Sequence, residues 1–200
     1  GLRRAAVRTC SAATRFRFAR DWGTEPGPAR AVAGRHRKGV ELARALGRPQ
    51  YLVVDAGHRA GRRVRDYGRF DDAGDSRNAL LIECGQHWEH GGPIVAQQCA
   101  LRFLRHFDLV ERSFVDAFID PQETPPQRVV EITDVVTIAS AAFSFVLPVL
   151  GMMAIARGGT LLARDGEREI RTPYDDCVLI MPAQRPKLGE TAVRLGRYLA

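Results

Sequence analysis

Short apolar runs alternate with polar loops along this chain, and their spacing predicts an α/β fold. Continuous apolar runs at Tyr51 to Val54 and at Ala79 to Cys84 are typical of strands in a sheet covered on both faces. Apolar positions recur at helical spacing from His36 to Leu46, ahead of Gly47-Arg48-Pro49, and again from Pro93 onward. This alternation of strands and helices predicts a layer with a largely parallel sheet.

The second helix is predicted to be amphipathic. Its core face would carry Ala96, Ala100, Phe103, Leu104 and Phe107, and its outer face Gln98, Arg102, Arg105 and His106.

A change of pattern follows the Pro-rich stretch from Asp120 to Pro126. Short runs typical of strands come after it, at Val129 to Ile138, Thr160 to Ala163, Glu169 to Arg171 and Cys177 to Met181. We therefore divide the chain into an Arg-rich irregular segment (residues 1–35), an α/β layer (36–120) and a small β domain (127–200).

One stretch, Val135 to Ala156, has 22 residues without a charge, which is long enough to span a bilayer. Pro148, Gly151 and several hydroxyl side chains weaken that alternative. We expect no membrane association.

The positive charge of the chain is concentrated at its start. Residues 1–48 hold 12 Lys and Arg against 3 Asp and Glu, whereas residues 49–200 hold 18 against 20, for a net charge of +7. A flexible arm, an organelle-targeting segment and a solvated stretch are all consistent with this pattern. A nucleic-acid-binding arm would need more interleaved aromatic residues than Phe16 and Phe18, so we expect no nucleic acid partner.

Four widely spaced cysteines, Cys10, Cys84, Cys99 and Cys177, form no Cys-x-x-Cys pair. Neither a disulfide framework nor a zinc knuckle is indicated, which favours a reducing, cytoplasmic location.

Glu83 is the main candidate for chemistry. It ends the second apolar run and precedes Gly85, so its carboxylate would lie at the end of a buried strand. Burying a carboxylate costs several kcal/mol unless it is paired, so Glu83 is either half of a buried ion pair or an acid/base group. The residues alone favour the ion pair.

Several strings resemble a known family. They are Tyr51-Leu52-Val53-Val54-Asp55-Ala56-Gly57-His58, Arg65-Asp66-Tyr67-Gly68, Ile82-Glu83-Cys84-Gly85-Gln86-His87, Gly159-Thr160-Leu161 and Thr172-Pro173-Tyr174. Together they are similar to the succinylglutamate desuccinylase/aspartoacylase family of zinc carboxypeptidase-like hydrolases, over about residues 36–200. The resemblance implies a partial zinc-carboxypeptidase-like α/β layer followed by a small all-β domain.

The resemblance also implies a reaction. In this family a zinc ion held by two histidines and a glutamate activates a water, and a second glutamate passes the water's proton to the leaving amine. Glu83 matches that second glutamate. Arg77 would bind a substrate carboxylate or oxyanion. Tyr67 is a further candidate, for lining the pocket, and the alternative for it is a place in the core or in a turn.

The zinc ligands themselves are not found in the sequence. The family takes them from a His-x-x-Glu pair and an Asp-Leu-His strand end, and neither motif occurs here. His87, Glu89 and His90 are an alternative cluster, although two ligands from one turn still need a third. A degenerate region or a disturbed reading frame before residue 36 is one hypothesis for the loss.

Our expectation is a zinc-dependent deacylase that acts on N-acyl amino acids or related small carboxylates. The alternative is a non-catalytic relic or binding protein without the zinc ligands. The expected partner is a small-molecule substrate. A homo-oligomer is an alternative to a monomer.

Overall fold

Eleven β-strands, three α-helices and two short 3-10 helices (Val64–Asp66 and Gly68–Phe70) are present in the described part of the chain. The computed structural model describes the backbone of residues 15–19, and residues 27–56, 63–85, 91–119 and 125–199 with their side chains. The elements are β1 Arg15–Ala19, β2 Arg30–Ala33, α1 Arg37–Leu46, β3 Tyr51–Val54, β4 Ala79–Glu83, α2 Gly91–His106, α3 Arg112–Asp116, β5 Arg128–Thr137, β6 Phe143–Phe145, β7 Ala154–Ile155, β8 Leu161–Asp165, β9 Arg168–Arg171, β10 Cys177–Ile180 and β11 Thr191–Tyr198.

An eight-stranded mixed sheet runs in the order β1-β4-β2-β3-β5-β11-β10-β7, and a second sheet has the order β6-β8-β9. The pairs β1–β4, β2–β3 and β3–β5 are parallel. The pairs β2–β4, β5–β11, β10–β11 and β7–β10 are antiparallel, as are both pairs of the small sheet. The predicted α/β class with a second, small β sheet is confirmed.

Helices cover one face of the large sheet. Alternate strand residues such as Ala31, Leu52 and Ile82 pack there against Leu46 of α1 and Phe103 of α2. Side chains alternate between faces along a strand, so the intervening residues lie on the opposite face. There Val32, Val53, Leu81 and Val130 pack against Met152, Met181 and β10.

The first helix ends where the sequence predicted. Gly47 adopts the left-handed conformation with a φ of 69°, and its N–H donates to the carbonyl oxygens of Ala43 and Arg44 at 3.2 and 3.0 Å. A residue with a Cβ is strained in this conformation, which is why glycine suits the position.

Two strands lie in the segment that we predicted to be irregular. Both β1 and β2 fall within residues 1–35, so the prediction is wrong at those positions. The pattern of apolar residues did not predict β2, because the strand is only four residues long and begins with an arginine.

The predicted outer face of α2 is also wrong at one position, because Gln98 is buried. Its Nε2 donates to the carbonyl oxygen of Phe118 at 2.8 Å, where α3 packs against α2. A polar side chain is stable there because the carbonyl satisfies it.

The large sheet continues past the Pro-rich stretch, since β5, β7, β10 and β11 join β1 to β4 in one sheet. The division of the chain into domains therefore stays a prediction, although the small sheet β6-β8-β9 does lie entirely after that stretch. Within the part of the chain that is described, no helix is long and apolar enough to cross a membrane.

Candidate functional site

The strongest candidate site is a buried ion pair between Glu83 and Arg30. Arg30 Nε donates to Glu83 Oε2 at 2.6 Å, and each side chain is more than nine-tenths buried. Glu83 ends β4 and Arg30 begins β2, 53 residues earlier in the chain. Because the two strands are antiparallel, they place these residues directly opposite each other in register. The two charges therefore compensate each other in a buried environment.

A glycine with a positive φ lies two residues after the glutamate. Gly85 has a φ of 96°, a conformation in which residues with a Cβ are strained. Glu83 is the last residue of β4 and is buried, so the predicted position of its carboxylate at the end of a buried strand is confirmed.

Glu83 and Arg30 belong to a row of four side chains that crosses the sheet. Glu83 is in register with Arg30, Arg30 with Tyr51 on β3, and Tyr51 with Arg128 on β5. Residues directly opposite each other on neighbouring strands have side chains on the same face. The row therefore places two arginines, one tyrosine and one glutamate along a single edge.

Two tyrosines surround the arginine at the far end of this row. The guanidinium carbon of Arg128 lies 3.9 Å from the ring centroid of Tyr198 and 6.0 Å from that of Tyr51. Burial raises the pKa of Tyr198, with Arg128 opposing and Tyr51 adding to the rise. The aromatic rings hold the exposed cation of Arg128 by cation–π attraction.

Glycine backbone lies beside the buried arginine. A Cβ placed on Gly27 would be 3.5 Å from Arg30 Nη1 and 3.2 Å from the Cα of Gly151. A side chain at Gly27 would therefore be in van der Waals contact with that guanidinium nitrogen. The two backbone segments approach each other closely next to the ion pair.

Cys84, which follows Glu83, is not a nucleophile. Burial raises the pKa of its thiol to about 11, and the charge of Glu83 adds to the rise. The thiolate is the reactive form of cysteine, and a thiol with this pKa is protonated at neutral pH.

A second set of charges lies at the opposite end of the central strands. Asp55 follows β3 and is buried, and it accepts hydrogen bonds from Arg63 Nη1 at 3.1 Å and Arg65 Nη2 at 3.3 Å. Arg65 is also buried, and this burial lowers the pKa of its guanidinium, while Asp66 and Asp55 oppose the change. The ion pair of Asp55 and Arg65 lies at the carboxyl ends of β2 and β3.

The two predicted substrate-binding residues are not brought together with Glu83. Arg77 precedes β4, its Nε lies 3.9 Å from Asp75 Oδ1, and the four residue steps of β4 put about 13 Å between Ala79 and Glu83. Tyr67 is 61% exposed and adjoins the short turn at Val64–Asp66. Both lie on the Asp55 side of the sheet, and their roles stay predictions.

Lys38 fixes the loop that carries Arg77. Its amine donates to the carbonyl oxygens of Arg69, Asp72, Asp75 and Arg77, at 3.4, 2.6, 3.1 and 2.7 Å. The long connection between β3 and β4 is thus tied to the first turn of α1.

The described residues do not fit the zinc ion that the family resemblance implies. Among residues 27–56, 63–85, 91–119 and 125–199, no three His, Cys, Asp or Glu side chains are grouped to hold a metal. The guanidinium of Arg30 lies against Glu83, and a fixed cation there disfavours a metal dication beside it. The alternative ligands His87, Glu89 and His90 lie outside the described residues, as does His58.

Sequence reasoning missed Arg30, Tyr51 and Arg128. The available signal was the charge at the head of Arg30-Ala31-Val32-Ala33, since an arginine opening a buried run needs a counter-ion. The sequence offered no sign of which carboxylate that would be.

Solved structures with this fold were found by structural comparison. Succinylglutamate desuccinylase from Vibrio parahaemolyticus matches with a TM-score of 0.60 at 15% identity, covering 92% of this chain and 53% of that chain. A succinylglutamate desuccinylase/aspartoacylase from Rhodobacter sphaeroides gives 0.58 at 11%, covering 92% and 57%. The product-bound ectoine utilization protein EutE from Ruegeria pomeroyi gives 0.56 at 14%, also covering 92% and 57%.

The chain has the fold of the succinylglutamate desuccinylase/aspartoacylase structures. The resemblance predicted from the sequence is thereby confirmed at the level of fold. The chain spans about half the length of these structures. No family model and no curated protein matches its sequence.

Proposed function

We propose that this protein is a deacylase-type hydrolase that cleaves the amide bond of N-acyl amino acids or related small carboxylates, with Glu83 as its general base. One observation carries the proposal: a buried carboxylate ends β4 at the edge of a fold shared with desuccinylase structures. The sequence around Glu83 supports the same assignment, because it matches the glutamate-containing motif of that family.

The proposed chemistry is written for residues of this chain. Arg30 holds Glu83 Oε2, which leaves Oε1 to accept the proton of an attacking water. The water oxygen bonds to the amide carbon, the carbon–nitrogen bond breaks, and Glu83 returns the proton to the departing amine. Arg30 acts here as a positioning residue because it fixes the orientation of the carboxylate.

Zinc dependence is part of the expected family chemistry, but no step is assigned to it because the described residues do not supply its ligands. Elemental analysis after zinc loading and desalting tests it independently of activity. About one equivalent per chain would support zinc dependence and direct mutagenesis to His87 and His90. A protein that hydrolyses substrate while holding no zinc would refute zinc dependence and leave the role of Glu83 intact.

A panel of N-acyl amino acids with amine detection tests the hydrolase proposal. Glu83→Gln should lower kcat at least about 100-fold, since general-base groups contribute that much or more. Asp55→Asn is the matched control, because it alters an equally buried, Arg-paired carboxylate at the other end of the sheet. Equal loss of kcat in both variants, or retained activity in Glu83→Gln, would refute the proposal.

A second candidate is a non-catalytic binding protein with the same fold. The specific observation in its favour is the closed Arg30–Glu83 pair, which can be purely structural. This candidate predicts that N-acetylglutamate binds in calorimetry without any amine release. Turnover of any member of the panel would exclude it.

A further inference from the structure

We infer that the helices α2 and α3 carry a self-association surface, on which two copies of this chain meet in a weak and reversible dimer. The surface, called here the phenylalanine patch, consists of Ile94 on α2, Leu109 between the helices, Phe114 on α3 and Phe118 just after it. The inference goes beyond the proposed function, because it involves neither Glu83 nor any step of hydrolysis.

The first observation is that α3 turns its aromatic side chains away from the core. Val115 is completely buried, whereas Phe114 and Phe118 are 56% and 51% exposed. The two rings pack against each other, with their centroids 5.2 Å apart. Large aromatic side chains dominate the energetics of cores and interfaces, and this pair lies outside the core.

The second observation is that the patch continues onto α2. Ile94, Gln98 and Arg105 lie on one face of this helix, because four and eleven residues are close to whole numbers of helical turns. The chain around α3 lies against that face, since Gln98 Nε2 donates to the carbonyl oxygen of Phe118. Arg105 Nη1 likewise donates to Asp116 Oδ1 at 2.8 Å. Ile94, one turn before Gln98, therefore extends the apolar surface beyond Phe118.

The patch is large enough to be the centre of an interface. Its four side chains are 51–58% exposed. Aromatic side chains bury about 150–250 Å² each, so four large apolar side chains that are half exposed present roughly 400 Å². Two copies would cover about twice that area, and with a polar rim they reach the lower end of specific interfaces, about 1,200 Å². This size predicts a dimer with a dissociation constant in the micromolar range.

Charge favours a second copy as the occupant. Residues 91–119 hold three arginines and three Asp or Glu, although the chain as a whole has a net charge of +7. Beside the patch, Arg105 pairs with Asp116 and Arg112 with Asp108, at 2.8 and 3.0 Å. An anionic membrane or a nucleic acid is attracted by uncompensated positive charge, which this surface lacks. A second copy presents equal numbers of both signs, so the arginines of each copy can face the acids of the other, as in an isologous dimer.

Sedimentation velocity of the full chain at low ionic strength tests the inference, over protein concentrations from about 1 to about 300 μM. The average mass should rise with concentration from 22.1 kDa towards that of two chains. Phe114→Ser/Phe118→Ser should raise the dissociation constant at least about tenfold, as expected for aromatic side chains at the centre of an interface. Val146→Ser/Leu188→Ser, which replaces two exposed apolar side chains outside the patch, is the matched control and should not change it.

A pair of charge variants tests the partner without touching the phenylalanines. Arg105→Glu/Arg112→Glu makes the rim strongly negative, and Asp108→Lys/Asp116→Lys makes it strongly positive. Circular dichroism verifies the fold of both, which should survive because exposed ion pairs contribute little stability. Each variant alone should stay monomeric, since like charges would meet in its dimer, and an equimolar mixture of the two should associate.

Four results would overturn the inference. They are a chain that stays monomeric at all concentrations, unchanged association in Phe114→Ser/Phe118→Ser, an equal loss in Val146→Ser/Leu188→Ser, and charge variants that remain monomeric when mixed. Flotation with phosphatidylserine vesicles examines the other occupant, and no binding is expected. Vesicle binding by a chain that does not self-associate, lost on replacing the two phenylalanines, would assign the patch to a membrane surface instead.

Discussion

Arg30 and Glu83 lie opposite each other in register on antiparallel strands, and their side chains meet at 2.6 Å in the interior. Removing one partner leaves the other as an uncompensated buried charge, which costs about 3–5 kcal/mol. Arg30→Met and Glu83→Leu should each lower the free energy of unfolding by that amount. The double variant should lose much less than the sum, and urea denaturation of all four proteins measures the coupling.

This double-mutant cycle separates the stability that comes from the Arg30–Glu83 ion pair from the stability that each side chain contributes by packing. If the two single losses added in the double variant, the side chains would act independently and the pair would not be the stabilising unit. Asp55→Leu, at a second buried carboxylate of the large sheet, shows whether a loss of this size is general to the sheet or special to the Glu83 edge.

Gly196 on β11 has no room for a side chain. A Cβ at this position would lie 2.5 Å from the carbonyl oxygen of Glu131 and 2.8 Å from Ile180 Cδ1. Because a backbone oxygen cannot move without shifting β5, Gly196→Ala should destabilise the protein by about 2–3 kcal/mol. Thermal and urea unfolding measure the loss.

Gly34→Ala is the matched control for that substitution, because a Cβ at Gly34 has no neighbour within 4 Å. Its stability should stay within about 1 kcal/mol of the unsubstituted protein. Similar losses at both glycines would mean that general backbone effects, and not the approach of β5 to β11, decide the cost.

Lys38 should control the order of the loop before β4. Lys38→Met removes an amine that donates to the carbonyls of Arg69, Asp72, Asp75 and Arg77. We expect faster amide hydrogen exchange across residues 69–77 and a stability loss of about 1–3 kcal/mol. Lys187→Met, at the only other lysine and an exposed one, is the control. Unchanged exchange in the loop would contradict the assignment.

The sequence predicted those elements whose signal is local. The runs at β3, β4 and β10 are continuous and apolar, and α1 carries its own stop at Gly47, so neighbouring residues suffice to find them. The role of Lys38 in holding the connection before β4 has no such local signal, because its acceptors lie more than 30 positions away.

Elements that depend on distant partners were missed. Arg30 is tolerated at the head of β2 only because Glu83 lies across from it, 53 positions later. Gln98 is buried because the carbonyl of Phe118, 20 positions away, accepts its amide hydrogen. Pairings of this kind become visible only when the chain is folded.

In the candidate site, too, residues with a local signal could be predicted and residues that depend on distant partners could not. Glu83 could be found because a carboxylate at the end of an apolar run is a local anomaly. Its row partners Arg30, Tyr51 and Arg128 come from three other strands, and strand order cannot be obtained from the pattern of one sequence. Arg77 and Tyr67 were chosen by resemblance, and the fold separates them from Glu83 by the length of β4.

Asp165 should make part of the stability depend on acidic pH. Hydrogen bonds from the Ser140 hydroxyl and the Ala139 backbone N–H hold the pKa of Asp165 below its usual value of 3.8. The unfolded chain therefore binds the proton more readily, so the contribution is complete above about pH 4 and disappears as the pH falls through the folded value.

Asp165→Asn isolates this effect, because an amide cannot accept at both oxygen positions. The variant should have a lower Tm at neutral pH, and the gap to the unsubstituted protein should narrow as the pH falls below about 4. Asp75 and Glu169 also have lowered pKa values, so the difference between the two proteins is the quantity to follow. Glu167→Gln, at an exposed turn, should show no such narrowing. A Tm gap that stays constant with pH would show that hydrogen-bond geometry, and not the charge of Asp165, stabilises the small sheet.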